Sequence, residues 1–457
     1  MPSAAANYRY AAWLVLIHFK PHRQNSAELI DKYGSEIQNR SGLVDITLGV
    51  IRNLVFIDRL IAQISGKGIN RISEKVLNCL RIAFYELIFT NQADYAIVNE
   101  AVNLANKTGS KKASGFVNAV LRNICRAIKN KSADLKISEP SKTLPLGPDI
   151  GCEFNIDILP DAKKLQIEYL SCAFSLPSWL VEQLLSQLGY EKTLNVCFAS
   201  NRKPSVYARP NKLKLTAEEL VEKFKGEDVD CEMAEQFNMV KINKPGNIAE
   251  LKSFKEGLFT VQDITSSSVI PLLNPKSGWK VLDLCAAPGT KTIQIAELMA
   301  DTGLIIATDK NSERLKKIDE NIQRLGVTSI KPMDYETFIQ QSGDFAPFDA
   351  VLVDVPCSNT GVLAKRPEVR HRLNEKIIKI LEKTQSEILN LAASLVKTGG
   401  KICYSTCSIL KQEDSDAINA FIRQQPEFKL KKEKLILPSV GTYDCDGGYA
   451  AVLMKNN

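Results

Sequence analysis

Apolar residues recur at three- and four-residue spacing through the first quarter of the chain, and the helix period dominates residues 7–130. The repeat runs through LVDITLGVIRNLVFIDRLIAQI (43–64), VLNCLRIAFYELIFT (76–90), AIVNEAVNLANKT (96–108) and ASGFVNAVLRNICRAI (113–128). Breakers separate these stretches at Gly66-Lys67-Gly68, at 91–94 and at 109–112. Such a pattern predicts an all-α bundle with short connections over residues 1–135. The next stretch, 136–165, carries Pro140, Pro145, Pro148 and Pro160 with little periodicity, and reads as a linker. A helical segment from Leu176-Pro-Ser-Trp179 and a strand-like SVYARP (205–210) suggest a small α/β subdomain over 166–255.

From residue 256 to 457 the pattern alternates. KVLDL (280–284), LIIATD (304–309), AVLVDV (350–355) and KICYST (401–406) have the continuous apolar character of buried parallel strands. Helical stretches at 291–300, 311–325 and 374–397 lie between them. This alternation predicts a doubly wound, Rossmann-like α/β domain, with its ligand beyond the carboxyl ends of the strands.

Composition narrows the class. Among the 457 residues, apolar types make up 44% and charged types 24%, a globular balance. The longest early apolar run, Ala11–Phe19, has nine residues. It is too short to span a bilayer and lacks the basic start of a signal peptide, so no membrane association is expected. Eleven cysteines with no CxxC pair imply neither a disulfide framework nor a zinc ribbon, and free thiols suit a reducing cytoplasm. No metal is expected. The three histidines, at 18, 22 and 371, leave little room for chemistry built on several imidazoles. The charge is uneven: residues 1–131 hold 18 Lys plus Arg against 9 Asp plus Glu, a net of +9, while the whole chain is +7. A basic N-terminal part favours a polyanionic partner. Lys365, Arg366, Arg370 and Arg372, and a second group of Arg202, Lys203, Arg209 and Lys212 around Tyr207, are candidate contacts to a nucleic-acid backbone.

The candidate chemistry sits at predicted strand ends. Cys285, Ala286, Ala287, Pro288, Gly289, Thr290 and Lys291 form a turn between a strand and a helix, where small residues let the backbone approach a ligand. The turn is neither the G-x-G-x-x-G fingerprint nor a P-loop, which disfavours nicotinamide and nucleoside triphosphates. Asp309 ends the next strand, where a carboxylate accepts hydrogen bonds from a ribose diol. Asp334 follows a short strand and borders the same region. Cys357 and Cys407 both follow strands and open on that edge, as does Asp354. Residue types alone do not say which cysteine attacks.

Three of these segments, DLCAAPGTKT (283–292), DVPCSNTGVL (354–363) and YSTCS (404–408), resemble in order and spacing the signature motifs of the RNA 5-methylcytosine methyltransferases. GLFTVQD (257–263) resembles the segment that precedes the first strand in that family. LGVIR (48–52), LRIAFYELIF (80–89), VNEAVNLA (98–105) and GFVNAVLR (115–122) resemble the helical domain of the antitermination factor NusB. A NusB-like domain joined to such a methyltransferase is the architecture of the RsmB (Sun) type of 16S rRNA methyltransferase in the RsmB/NOP family. The resemblance implies S-adenosyl-L-methionine as cofactor, a cytosine of 16S ribosomal RNA as substrate and a monomeric enzyme. It implies Cys407 as nucleophile and Cys357 as the residue that assists product release. Asp354, at its strand end, would hold the cytosine edge and protonate ring nitrogen 3 where burial raises its pKa, and the resemblance implies that it also contacts the cofactor, together with 285–291, Asp309 and Asp334. Thr290 stands where the family usually has a second glycine, and Ala364, Lys365 and His371 stand where it often has two arginines and a tryptophan.

Overall fold

The computed structural model describes residues 7–20, 25–109 and 111–456. His22, and Ser110 of the 109–112 breaker, lie outside the described residues. The chain divides into two compact units, one of residues up to Arg202 together with Leu363–Arg372, the other of Lys203–Val362 and Leu373–Asn457.

The first unit is built on helices α1 (Tyr8–His18), α2 (Ser26–Gly34), α3 (Arg40–Arg52), α4 (Leu54–Ser65), α5 (Glu74–Phe89), α6 (Asp94–Thr108) and α7 (Lys111–Ala127). Asn7, Asn25 and Asn39 start α1, α2 and α3, each side-chain oxygen accepting a backbone N–H of the first turn. The apolar run at 11–19 is α1, whose Ala12 and Val15 are fully buried in the bundle. The 43–64 stretch is two helices, divided at Asn53.

The segment read as a linker is ordered. Strands β1 (Ile128–Asp134), β2 (Thr143–Pro145) and β3 (Ile150–Phe154) form an antiparallel sheet in the order β1-β3-β2. Leu144, Cys152 and Phe154 are among its buried positions. Strands this short hold too few alternating residues to register as a period, and the prolines sit where the ladder does not need them. Pro140 opens a single 3-10 turn and Pro145 ends β2. Helices α8 (Gln166–Phe174), α9 (Ser178–Leu188) and α10 (Tyr190–Asn201) also lie in this compact unit.

The second unit begins with an antiparallel sheet in the order β5-β6-β4-β7, from β4 (Val206–Pro210), β5 (Cys231–Ala234), β6 (Met239–Ile242) and β7 (Phe259–Val261). Helix α11 (Ala217–Gly226), started by a capping box between Thr216 and Glu219, buries Leu220 and Phe224 against it. Short helices α12 (Lys252–Lys255), α13 (Ile264–Ser267) and α14 (Val269–Leu273) lead to the main sheet.

That sheet comprises β8 (Lys280–Asp283), β9 (Leu304–Asp309), β10 (Ile330–Asp334), β11 (Phe348–Asp354), β12 (Val396–Thr406), β13 (Phe428–Ile436) and β14 (Gly448–Lys455), ordered β10-β9-β8-β11-β12-β14-β13. The first five are parallel, and β14 and β13 add an antiparallel edge. Helices α15 (Thr290–Leu298), α16 (Ser312–Leu325), α17 (Tyr335–Phe345), α18 (Glu375–Leu395) and α19 (Ser415–Gln424) complete it. Apolar residues of the parallel strands are buried on both faces, in two separate core clusters. The four parallel strands expected from the sequence are all present; the C-terminal hairpin was not expected. Chain order reverses between β8 and β11, which makes their carboxyl ends the place for a ligand.

Candidate functional site

Register brings the expected residues to one edge of the sheet. Asp334 pairs with Asp309 across β10 and β9, Asp283 with Leu352 across β8 and β11, and Asp354 with Ser405 across β11 and β12. Four carboxylates and the Cys407 loop therefore leave the sheet from neighbouring strand ends.

The loop from Cys285 to Gly289 is shaped by its own backbone. Ala286 N–H donates to the Thr308 carbonyl (2.9 Å), and Gly289 N–H donates to the Ala286 carbonyl (2.7 Å). Gly289 has φ +97°, a left-handed conformation that costs glycine little, and a Cβ there would meet Ile318 at 3.4 Å. Helix α15 starts next, at Thr290. Asp309 is buried; its Oδ1 accepts from Asn311 N–H (2.9 Å) and its Oδ2 from Ala287 N–H (3.2 Å). Each carboxylate oxygen keeps lone pairs for a further donor, as a ribose diol requires. Asp334 Oδ1 caps α17 through Glu336 N–H (3.0 Å) and stays half-buried beside it. Tyr335 lies next in the chain, with the Lys310 ammonium 5.0 Å from its ring centre. A turn that approaches closely, flanked by two adjacent strand-end carboxylates, fits an adenosine-type group. Burial pushes the Cys285 thiol up, which suits a lining residue better than a nucleophile.

Asp283 was not singled out from the sequence. Its Oδ2 accepts from Thr292 Oγ1 (2.7 Å), while its buried Oδ1 has no hydrogen-bond partner among the described residues. Burial raises its carboxyl to about 7. Its only signal in the sequence was a carboxylate ending an apolar strand.

Lys291 Nζ donates to Asp354 Oδ2 at 2.7 Å. Burial works against the Lys291 charge, but the adjacent Asp354 carboxylate outweighs it and raises the lysine. In this hydrogen bond Lys291 donates and Asp354 accepts.

A cavity of about 200 Å³ opens beside this pair and is lined by Lys291, Asp354, Cys407, Asp263, Ser268 and Tyr449 among others. Cys357 is not part of its lining and lies behind, with its Sγ 3.1 Å from that of Cys407. The hydrogen bond to Cys407, then burial, push the Cys357 thiol well above its ordinary value. Cys407 also donates to Asn359 Oδ1 (3.3 Å). The C-terminal hairpin closes on the Cys357 loop: Gly447 N–H donates to the Gly361 carbonyl (2.8 Å), and a Cβ on Gly361 would lie 2.4 Å from the Gly447 carbonyl oxygen. Cys403 is fully buried in the sheet core and its thiol is pushed up to about 12, the behaviour of a small hydrophobe.

Part of the expected nucleic-acid contact set is structural instead. Tyr207 is buried and donates to the Asp444 carbonyl (2.9 Å). Arg209 is buried against Glu297 and Gln262. Arg370 is buried in the helical unit, its guanidinium donating to the carbonyls of Arg52 (2.7 Å), Phe174 (2.9 Å) and Ser200 (2.9 Å). These cations are consumed by protein acceptors, and charge counting along a sequence cannot register that. Lys203, Lys212 and Arg366 remain exposed, and Lys365 and Arg372 are half-buried.

Comparison with known proteins agrees with this architecture. Residues 270–446 match the model of the 16S rRNA methyltransferase RsmB/F family, residues 7–126 the NusB family, and residues 176–249 the ferredoxin-like domain of RsmF/B-like methyltransferases. A Bacillus subtilis (strain 168) protein described as a probable ribosomal RNA small subunit methyltransferase B is 31% identical over 90% of this chain and 86% of its own. The ribosomal RNA small subunit methyltransferase B of Serratia proteamaculans is 29% identical over 86% and 84%. Among solved structures, that of PH0851 is 26% identical with a TM-score of 0.71, over 98% of this chain and 99% of that one. A methyltransferase homolog protein from Pyrococcus horikoshii shares the fold over 64% of this chain and 99% of its own, at 22% identity and a TM-score of 0.55. With a NusB-like helical domain, a Rossmann-like catalytic sheet and a relative 31% identical over nine-tenths of its length, the chain is a methyltransferase that belongs to the RsmB/F family.

Proposed function

We propose that this enzyme transfers a methyl group from S-adenosyl-L-methionine to carbon 5 of a cytosine in 16S ribosomal RNA, through a covalent cysteine–cytosine intermediate. The cofactor supplies an electrophilic methyl on a sulfonium centre. The 285–291 loop, Asp309 and Asp334 would hold its adenosine portion. One observation carries the reading: Cys407, and not Cys357, faces the cavity that also holds the Lys291–Asp354 pair.

Carbon 5 of cytosine is too weak a nucleophile by itself. The Cys407 thiolate adds to carbon 6, and the electron pair displaced from the ring is stabilised at nitrogen 3 and oxygen 2. The Lys291 ammonium is the donor placed to meet that charge, and the Asp354 carboxylate can accept from the exocyclic amino group. Carbon 5, now enamine-like, takes the methyl group. Loss of its proton to a base and expulsion of the Cys407 sulfur restore the aromatic ring. Cys357, which keeps its proton and lies 3.1 Å from Cys407, is positioned to stabilise the departing thiolate. The basic excess of residues 1–131 supports a role for the helical domain in holding RNA, and eleven free thiols suit a reducing cytoplasm. We take the working enzyme to be a monomer.

The two cysteines supply the test, because they should fail differently. Cys407→Ala should abolish both methylation and adduct formation. Cys357→Ala should permit attack and methyl transfer but stall release, so a protein–RNA adduct accumulates on denaturing gels. The double variant should give no adduct. Tritium transfer to 16S rRNA compared with transfer RNA reads the substrate class. Adduct from Cys407→Ala but none from Cys357→Ala would reverse the roles, and adduct from neither single variant would remove the covalent route.

A further inference from the structure

Beneath the two cysteines lies a buried carboxylate that the reaction scheme does not use. Glu413 follows β12 and is fully buried. Its Oε1 accepts from the backbone N–H of Ser358 (2.9 Å), the residue after Cys357. Its Oε2 accepts from Ser408 Oγ (2.6 Å), the residue after Cys407. One side chain thus ties together two loops about 50 residues apart in the chain. Gln385 of α18 joins the same node, its Nε2 donating to Glu413 Oε1 (2.9 Å) and to the Pro356 carbonyl (3.0 Å) on the other side of Cys357. Thr360 adds a third link: its Oγ1 lies 3.1 Å from Ser408 Oγ and accepts from Ile409 N–H (3.1 Å).

We propose that Glu413 is a positioning residue for methyl transfer, whose carboxylate clamps the Cys357 and Cys407 loops together from behind the two thiols. The assignment of cysteine roles rests on the function proposed above; the clamp rests on the hydrogen bonds alone. A buried carboxylate accepting three bonds is well compensated for its loss of water. The groups facing Cys357 are the Cys407 thiol, Glu413 and the Tyr404 hydroxyl of β12; Asp414 faces Cys407, and Glu382 of α18 faces Glu413. Among these, only Glu413 is bonded to both cysteine loops. A clamp so placed holds Cys357 behind Cys407, which faces the cavity.

Glu413→Gln keeps an acceptor for Ser358 and Gln385 but loses the carboxylate oxygen that holds Ser408, whereas Ser408→Ala cuts the same arm and keeps the carboxylate. Each full-length variant is compared with wild type by thermal melting. Each is then labelled with methyl methanethiosulfonate between pH 6 and 10, with site occupancy read by peptide mass spectrometry. In wild type, label should appear at Cys407 while Cys357 stays silent. In both variants it should reach Cys357 as well, because the loop that holds it behind Cys407 is loosened. In single turnover with RNA and cofactor, both variants should transfer methyl roughly tenfold more slowly with unchanged half-saturating RNA, the signature of a misplaced group rather than lost binding. A labelling pattern in both variants identical to wild type overturns the proposal, as does a wild-type single-turnover rate in both variants. A wild-type protein that leaves cytosine unmethylated refutes the proposed function instead, and the labelling still decides the clamping role of Glu413.

Discussion

Replacing Arg370 by methionine should unfold the helical unit far more readily than its reading as a candidate nucleic-acid contact suggests. The guanidinium donates five hydrogen bonds, to the carbonyls of Arg52, Phe174, Ser200 and Leu363 and to Asn201 Oδ1. Arg52 ends α3, Phe174 ends α8, and Ser200 and Asn201 end α10, so a single cation serves the carbonyl ends of three helices, where the helix dipole favours positive charge. Two effects oppose each other. Burial disfavours the charge, lowering its pKa to about 9, and removing it would recover part of that cost. Against this, methionine leaves four carbonyls and an amide oxygen dry, and each stranded acceptor costs about 1–3 kcal/mol. The stranded acceptors outnumber the single charge, so a net loss of roughly 3–5 kcal/mol is expected, in line with breaking a buried charged network. Lysine keeps the charge but lacks the fork, and should cost about half as much. Urea unfolding followed by tryptophan fluorescence in a Trp279→Phe background leaves Trp13 and Trp179, both in the helical unit, as reporters. A loss below about 1 kcal/mol for methionine would refute the reasoning, since it would mean that the carbonyls find other partners at no cost.

Asp309→Asn should weaken S-adenosylhomocysteine binding roughly ten- to hundredfold, the range expected when a charged hydrogen-bond acceptor is lost; calorimetric affinity equal to wild type would remove Asp309 from the cofactor site. The two units should respond to pH with opposite sign. Asp283 has its carboxyl raised from 3.8 to about 7, so its contribution to stability is full below pH 3.8 and lost as pH rises through 7. His371 is lowered from 6.5 to about 4 by burial, so its contribution is full above pH 6.5 and lost as pH falls through 4. Asp283→Asn should flatten the fall in stability of the catalytic unit between pH 4 and 7, and His371→Gln should reduce the acid lability of the helical unit; hydrogen exchange resolved by unit reads both, and an unchanged slope in either variant would refute its assignment.

The parallel strands were legible because burial on both faces leaves continuous apolar runs such as KVLDL and AVLVDV, which few other elements imitate. The helices of the first unit were legible from their period. Two sheets escaped. In the 128–154 segment the strands have three to seven residues and are broken by prolines, so no window holds a period. In the C-terminal hairpin, β13 reads FKLKKEKLI and its middle is exposed. A lysine-rich edge strand protects a sheet from pairing with a neighbour, and in a sequence it looks like plain surface. The register with β14, which makes it a strand, is set by contacts outside its own window.

The same distinction separates what was legible in the site. Cys357, Cys407, Asp354, Asp309 and the 285–291 turn were found because each follows a strand, and strand ends in a doubly wound sheet converge whatever the loops do. Lys365–Arg372 and Arg202–Lys212 were misread in part because their composition says nothing about which of their members are spent inside. Arg370 and Arg366, four residues apart, are respectively buried at three helix ends and exposed. Glu413 was invisible for a related reason. Its meaning lies in three partners drawn from two loops and a helix, at separations of 55, 5 and 28 residues, and no local pattern marks a glutamate that joins them. A thiol needs an exposed face to attack, and a strand end provides one. A buried side chain that joins the loops of two neighbouring thiols approaches from behind, through the core, where proximity in sequence carries no information.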